Sequence, residues 1–211
     1  MEQTTVVRYM IACPCMESIP TATVASIASM KRVGAFKYSF LANSLVYDAR
    51  NMLAAEALDT KADRILWLDS DMTFSSDIME RMAQRLDEGI DFVSGLYFMR
   101  KAPTRPCIYK SVKITDGKGH AIVYMDYPRD KMFEIGGCGF GAVMMTRKLL
   151  KDVYDTYDRP FDPMPGVLGE DLAFCWRAQQ CGYKLWCDAS IKFGHVGNFI
   201  YEEQHYWTQN P

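Results

Sequence analysis

The sequence predicts an α/β fold: a mostly parallel sheet flanked by helices, with a small β excursion. Three observations predict it. Short apolar runs rich in β-branched and aromatic residues alternate with stretches of helical period between residues 6 and 98. The 211 residues are 49% hydrophobic and 24% charged, which is enough to bury the core of a single domain. Turn signals around Asp116-Gly117 are confined to residues 99 to 128, which reads as two short strands leaving the main sheet.

The elements follow in order. VVRYMIAC, residues 6 to 13, reads as a buried strand stopped by Pro14. Pro20 and Thr21 suit the first turn of a helix, and Gly34 after Lys31 and Arg32 suits its end. YSFLA, residues 38 to 42, reads as the second strand. Asn43 or Ser44 can cap a helix running to about Leu58, with Leu45, Ala49, Met52, Leu53 and Ala57 on its apolar face and Arg50 and Asn51 on its polar side. ILWL, residues 65 to 68, is the third strand, followed by a helix from about Ser76 to Leu86 and a strand over residues 90 to 98. After the excursion come MFEI, the glycine cluster GGCGFG, the apolar run AVMM and a helix from about Thr146. A Pro/Gly-rich loop, residues 159 to 169, leads into Glu170-Asp171 and a helix stopped by Gly182. The aromatic tail after Gly197 is expected to fold back over the sheet.

Composition excludes several classes. The formal net charge of −2 provides no general cationic field for nucleic acid or anionic lipid. No apolar run reaches the ~18 to 20 residues that span a bilayer, and MEQTTVVRYM lacks a basic region followed by an apolar core. The expectation is a cytoplasmic protein with no membrane span. Seven cysteines, an odd set without paired Cys-x-x-Cys elements, point to reduced thiols. Cys13-Pro14-Cys15 has one intervening residue where a thioredoxin-type site has two.

The chemistry concentrates in a few places. In ILWLDSDMTF, residues 65 to 74, Asp69 and Asp71 flank Ser70 just beyond a buried strand, where sheets of this kind bind ligands. Two carboxylates at i and i+2 can converge on Mg²⁺ or Mn²⁺, hard ions that bridge to phosphates. They could instead cap the next helix, although Asp77 is better placed for that. Residues 69 to 80 also match the ligand spacing of an EF-hand calcium loop. Phe74 occupies the glycine position, however, and a strand precedes the loop where a helix is required. Residues 137 to 142 match the dinucleotide fingerprint G-x-G-x-x-A, which would suit a nicotinamide or flavin oxidoreductase, but they precede a strand rather than open a helix. Glu170 and Asp171 read either as favourable charges at a helix start or as a general base beside a loop able to close. His195 is a structural residue unless the fold brings it to Asp71. Arg50 belongs to a solvated helix face unless it meets a diphosphate.

Taken together, YDARNMLAAEAL, RILWLDSDMTF, DFVSGLYF, GGCGFGAVMM, LGEDLAFCWRAQQCGYKLWCD and FGHVG resemble, in order and spacing from residue 47 to about 197, the GT-A (Rossmann-like) glycosyltransferases of the broad family 2-like group. The resemblance implies one catalytic domain over residues 1 to 211. About 1 to 98 would form its nucleotide-sugar-binding half, and about 99 to 211 its acceptor side and tail. It implies that Asp69 and Asp71 form a DXD motif holding Mn²⁺ or Mg²⁺ against the diphosphate of a UDP- or GDP-sugar, with His195 as the further metal ligand. Glu170-Asp171 would be the ED motif, Asp171 deprotonating the acceptor hydroxyl and the sugar transferring with inversion. Pro14 would border the base, Arg50 and Ser70 would lie near the nucleotide or diphosphate, and Gly136 and Gly137 would lie by the transferred sugar. One departure is the loop ACPCMES, where the family usually has a proline-threonine-tyrosine-asparagine type.

The acceptor is open to a glycan, a protein, a small molecule or, as a minority option suggested by compact phage enzymes of this kind, a modified base in DNA. Arg100, Lys101, Arg105, Lys110 and Lys113 give the excursion a basic character, read as a solvated loop in a chain that is acidic overall. A second class is a calcium-binding module without catalysis, favoured by Ca²⁺ preference and indifference to nucleotide. An oxidoreductase would be favoured by stabilisation with NAD.

Overall fold

The expected alternation of strand and helix is present in the computed structural model, which describes residues 6 to 209. Residues 1 to 5, with much of the N-terminal stretch read above for a leader, lie outside the described residues, as do 210 and 211. In order, the first half holds β1 (Arg8–Cys15), α1 (Thr21–Ser29), β2 (Ala35–Ala42), α2 (Val46–Asp59), β3 (Arg64–Leu68), β4 (Met72–Phe74), α3 (Ile78–Asp87) and β5 (Phe92–Leu96). The excursion is the hairpin β6 (Ile108–Thr115) and β7 (Lys118–Val123). Then come β8 (Met132–Ile135), β9 (Gly137–Cys138), β10 (Ala142–Thr146), α4 (Arg147–Tyr157), α5 (Glu170–Gln180), β11 (Leu185–Val196), β12 (Ile200–Tyr201) and α6 (Glu203–Gln209).

The main sheet runs β12-β11-β5-β10-β3-β1-β2, with β4 and β8 pairing on β11, so strands from both halves of the chain share one sheet. β1 is parallel to β2 and β3, and β11 is parallel to β5; β10 lies antiparallel between β3 and β5. Helices cover both faces. Leu53 of α2, Leu149 of α4 and Phe174 of α5 are buried in one core, Met79 and Met82 of α3 in the other. The Asp116-Gly117 turn has both residues at positive φ (51° and 71°), the geometry that a two-residue hairpin loop requires. β6 also pairs with β9, which ties the excursion to the glycine cluster.

Several expectations need correction. Pro14 does not stop β1; it lies within it, opposite Leu41 of β2, beyond the last β3 pairing at Ala12, where its missing N–H breaks no ladder on the β3 side. α1 ends at Ser29 rather than near Gly34. Neither Asn43 nor Ser44 caps α2, which starts after Leu45 with no side-chain cap. Its apolar face is Ala49, Leu53, Ala54 and Ala57, whereas Leu45 and Met52 are exposed and Arg50 and Asn51 are buried. Asp77 takes the cap position of α3 without bonding a helix amide, its carboxylate accepting instead from the Ser75 hydroxyl. The segment from Asp69 is a turn between β3 and β4, so the helix that an EF-hand needs in front is absent, and the glycine fingerprint runs through β9 into β10 rather than opening a helix. α4 starts near Thr146 as read, with Thr146 itself the cap, accepting from the Leu149 amide, and Gly182 turns the chain after α5 at φ 86°. The tail does fold back: Tyr206 is buried against Phe98 and Tyr127.

Candidate functional site

One edge of the sheet gathers the residues of interest. The C-terminal ends of β1, β3 and β5 carry Cys15, Asp69 and Tyr97 to this edge, and the antiparallel β10 presents its first residue there, with Gly139 to Gly141 just ahead of it. The far end of β11 switches partners, pairing with β4 and β12 beyond an irregularity between Asp188 and Lys192, and this carries His195 to the same place. The Asp69 amide donates to the Gly141 carbonyl (3.2 Å) and the Val196 amide to the Asp71 carbonyl (2.8 Å), which fixes the two ends of the Asp69-Ser70-Asp71 turn.

The two aspartates have different partners. Asp69 Oδ1 pairs with Arg50 at 3.0 Å. Arg50 is itself buried, lies over the Phe140 ring and donates to the Phe140 carbonyl. Burial pushes the Asp69 carboxyl up, against the pull of Arg50, and neighbouring Asp71 adds to the rise. Asp71 Oδ2 meets Arg100 at 2.6 Å, and its Oδ1 lies 3.4 Å from His195 Nε2. Burial would raise Asp71 too, but His195 and then Arg100 outweigh it and hold the carboxyl below its ordinary range. His195 Nδ1 lies 2.8 Å from the Phe98 carbonyl, which can only accept, so Nδ1 carries a proton and Nε2 is turned to Asp71. At that separation Asp71 Oδ1 and Nε2 can share a proton or a metal ion.

Among the described residues no group of three or more His, Cys, Asp or Glu side chains forms a ready cation cage. The donors that do converge, Asp71 Oδ1 and His195 Nε2, are spaced as two ligands of one ion at about 2.1 Å from each would be. The ring is oriented through its other nitrogen in the way ligand histidines are. The residues therefore fit a cation completed by water and phosphate oxygens, the mode in which Mg²⁺ is commonly held. The expected three-residue set is corrected in one respect: Asp69 is engaged by Arg50, so Asp71 and His195 are the converging pair.

Two cavities meet at this cluster and share Asp69, Arg100 and His195 as walls. The smaller, about 250 Å³, lies between Pro14 and Cys15 of β1, Ala49 of α2, and Ser70 and Asp71. The larger, about 580 Å³, is bordered by Tyr97, Cys107, Tyr109, Gly139 and Asp171. Its size suits a small-molecule ligand. A separate cavity of about 510 Å³ lies between α1, β4 and the start of α6, with none of these carboxylates in its walls. Asp171 Oδ1 accepts from the Leu172 amide at 2.7 Å. Burial, then the neighbouring Glu170 charge, push the Asp171 carboxyl up to about 6. Glu170 is exposed. A Cβ on Gly139 would stand 3.5 Å from Asp171 Oδ2 and 2.2 Å from the Tyr97 hydroxyl, so only glycine leaves this corner open.

Gly136 and Gly137, expected beside a sugar, do not line this cavity; Gly136 abuts the Ser111 backbone, Gly137 is closed in by Val112 and Cys175, and Gly139 is the glycine at the cavity wall. Arg50 was expected to be solvated or to meet a diphosphate, and it is neither exposed nor free: it anchors Asp69 from beneath. Asn51, read as solvated, is buried; it donates to Asp162 and accepts from the Phe161 amide, pinning the loop ahead of Asp171. Tyr97 carried no assigned role in the sequence and Arg100 was read only as part of a solvated basic loop; the Tyr97 hydroxyl accepts from the Gly141 amide and its ring stands edge-on to His195. The basic excursion is partly engaged, Arg100 with Asp71 and Lys110 with Asp126 and the Tyr124 ring. Cys13 and Cys15 are free thiols, both pushed up by burial, which makes them poor nucleophiles.

No protein-family model and no curated protein sequence matches the chain. Its fold is similar to that of A197 from STIV. That crystal structure superposes with a TM-score of 0.61 at 19% sequence identity, over 90% of this chain and 86% of the other. The likeness extends across nearly the whole of both chains, and it establishes the α/β fold. Among the described residues no helix is long and apolar enough to cross a membrane.

Proposed function

We propose that this chain is a GT-A type glycosyltransferase that moves a sugar from a nucleotide-sugar to an acceptor hydroxyl. A single observation carries the reading: one cavity is walled at once by Asp69, His195 and Asp171. This supports a reading in which a phosphate-bridging cation at Asp71 and His195 and the raised Asp171 carboxylate serve adjoining space. The donor diphosphate would lie in the smaller cavity, against Asp69-Ser70-Asp71, with Pro14 bordering the base and the sugar reaching toward Gly139.

Asp71 and His195 would hold the Mn²⁺ or Mg²⁺, which when bound supplies Lewis-acid stabilisation of the charge developing on the departing diphosphate. Asp71, kept ionised by His195 and Arg100, is in the right state to do so. Asp171 is the general base. Its Oδ1 is committed to the Leu172 amide, leaving Oδ2 beside Gly139 to take the proton of the incoming hydroxyl. With its pKa raised to about 6 it is still mostly ionised at neutral pH, yet is a better proton acceptor than an ordinary carboxylate. Glu170 contributes through its charge rather than by contact. Attack directed by Asp171 from the side opposite the diphosphate inverts the anomeric centre.

The test is a panel of UDP-, GDP- and other nucleotide-sugars with Mn²⁺, Mg²⁺ or EDTA, reading thermal shift and free nucleotide. Absence of donor binding in every metal condition sinks the reading. Asp71→Ala is expected to abolish metal-dependent donor binding, whereas Asp171→Ala binds donor and fails to transfer. Glycans, proteins, small hydroxylated molecules and DNA with modified bases form the acceptor panel.

A further inference from the structure

The smaller cavity presents an electrostatic problem. A diphosphate there meets Asp69 and Asp71, and Arg50, the nearest buried guanidinium, is spent on Asp69 from beneath. Among the described residues lining that cavity, Arg100 is the one side chain with a permanent positive charge. It lines the larger cavity too, so it stands in the shared wall where a diphosphate linking nucleotide and sugar would pass.

Its position is built. The segment carrying Arg100 is closed at its base, where the Met99 amide donates to the Arg105 carbonyl (2.9 Å) and Phe98 bridges Pro106. The side chain lies along Gly197, where an added Cβ would come within 3.4 Å of Arg100 Cδ. One guanidinium nitrogen pairs with Asp71 Oδ2, while Oδ1 of the same carboxylate turns to His195. A cation between Asp71 Oδ1 and His195 Nε2 therefore leaves the Arg100 contact in place. Asp71 then holds two positive groups, one on each oxygen. Half of the Arg100 side chain (49%) remains exposed, and a guanidinium has five donors, so its contact with Asp71 leaves others for phosphate oxygens.

We infer that Arg100 is a diphosphate-binding residue, held ready by Asp71, that gives the site donor affinity even without a divalent cation. The inference rests on the proposed glycosyltransferase reading and adds a residue to it. It assigns Asp71 a second task, positioning a guanidinium as well as a metal.

The experiment uses inorganic pyrophosphate as probe, titrated calorimetrically into the full chain in EDTA and again with Mn²⁺. Wild-type protein is expected to bind pyrophosphate in EDTA, and Arg100→Met to weaken that binding tenfold or more while its melting temperature stays within a degree or two. Arg100→Lys, which keeps the charge but not the planar fork, is expected to fall between them. Mn²⁺ titrated alone should bind Arg100→Met at least as tightly as wild type, because Asp71 has lost a competing cation. Pyrophosphate affinity in EDTA that is the same in Arg100→Met and wild type overturns the inference. If that wild type still binds UDP or GDP with Mn²⁺, the glycosyltransferase reading survives the loss of Arg100. Wild-type protein that binds neither pyrophosphate nor nucleotide in any condition removes both.

Discussion

Replacing Asp171 with asparagine separates catalysis from stability. The carboxyl is raised from its usual 3.8 to about 6, first by burial and then by Glu170. A group whose folded pKa lies above its unfolded value gives stability that is present below the unfolded pKa and lost as pH rises through the folded one. At pH 7 to 8 the ionised Asp171 is therefore a cost to the fold. The shift of about two units corresponds to about 3 kcal/mol at most. Asparagine is nearly isosteric, keeps an oxygen for the Leu172 amide and carries no charge. Asp171→Asn is thus expected to melt several degrees higher than wild type at pH 8, since for a domain of this size each kcal/mol moves the melting point by roughly 2 to 4 °C. The gap should close as pH falls through 6 and be small at pH 5, while transfer is abolished throughout. In the wild type, the transfer rate should rise with pH through about 6, as the base loses its proton. A melting-point gap that does not narrow between pH 8 and pH 5 would refute the claim that Asp171 is buried and charged at neutral pH.

Two further substitutions probe the walls of the site. Gly139→Ala should cut transfer sharply, because the new methyl meets the Tyr97 hydroxyl at 2.2 Å; adding Tyr97→Phe removes that oxygen, leaves the next atom at 3.3 Å, and should restore part of the activity. A double variant no more active than the single one would show that the collision is not the cause. Arg50→Met strands the Asp69 carboxylate above an apolar side chain; the expected loss is about 3 kcal/mol, the low end for a broken buried pair because 28% of the Asp69 side chain still reaches solvent. Urea unfolding measures it, and a loss under about 1 kcal/mol would mean that the pair is not the anchor described.

What was legible in the sequence was what local pattern encodes. ILWL is apolar throughout because β3 is central and covered on both faces, and Asp69 follows it at a sheet edge by the logic of parallel sheets. Thr146 and Gly182 mark helix ends through chemistry that acts within a few residues. The misreadings involve partners far away in the chain. For α2, Ala49, Leu53 and Ala57 were read correctly, but Arg50 and Asn51 are buried too, held by Asp69, 19 residues on, and by Asp162, 111 residues on, neither of which a helical period reveals. Which glycine of GGCGFG faces the cavity depends on how β9 pairs with β6, so Gly139 could not be distinguished from Gly136 or Gly137 by spacing. β4 is three residues long and exists as a strand through its pairing with β11, beyond the reach of period-2 reading. His195 could be assigned a partner only because the family resemblance supplied one, and the geometry places it beside Asp71.

Arg50 and Asn51 are consecutive on α2, and they hold different things: the first the Asp69 carboxylate, the second the loop ahead of Asp171. A helix that slides or tilts carries both together, so the spacing of Asp69 from the loop ahead of Asp171 is tied to one peptide unit rather than to the agreement of two independent loops. The hairpin and the tail, which contribute Tyr109 and Tyr201 to the larger cavity, are not held by this pair. On the proposed reading, changes to the hairpin and tail would alter acceptor choice before they altered the spacing set from α2.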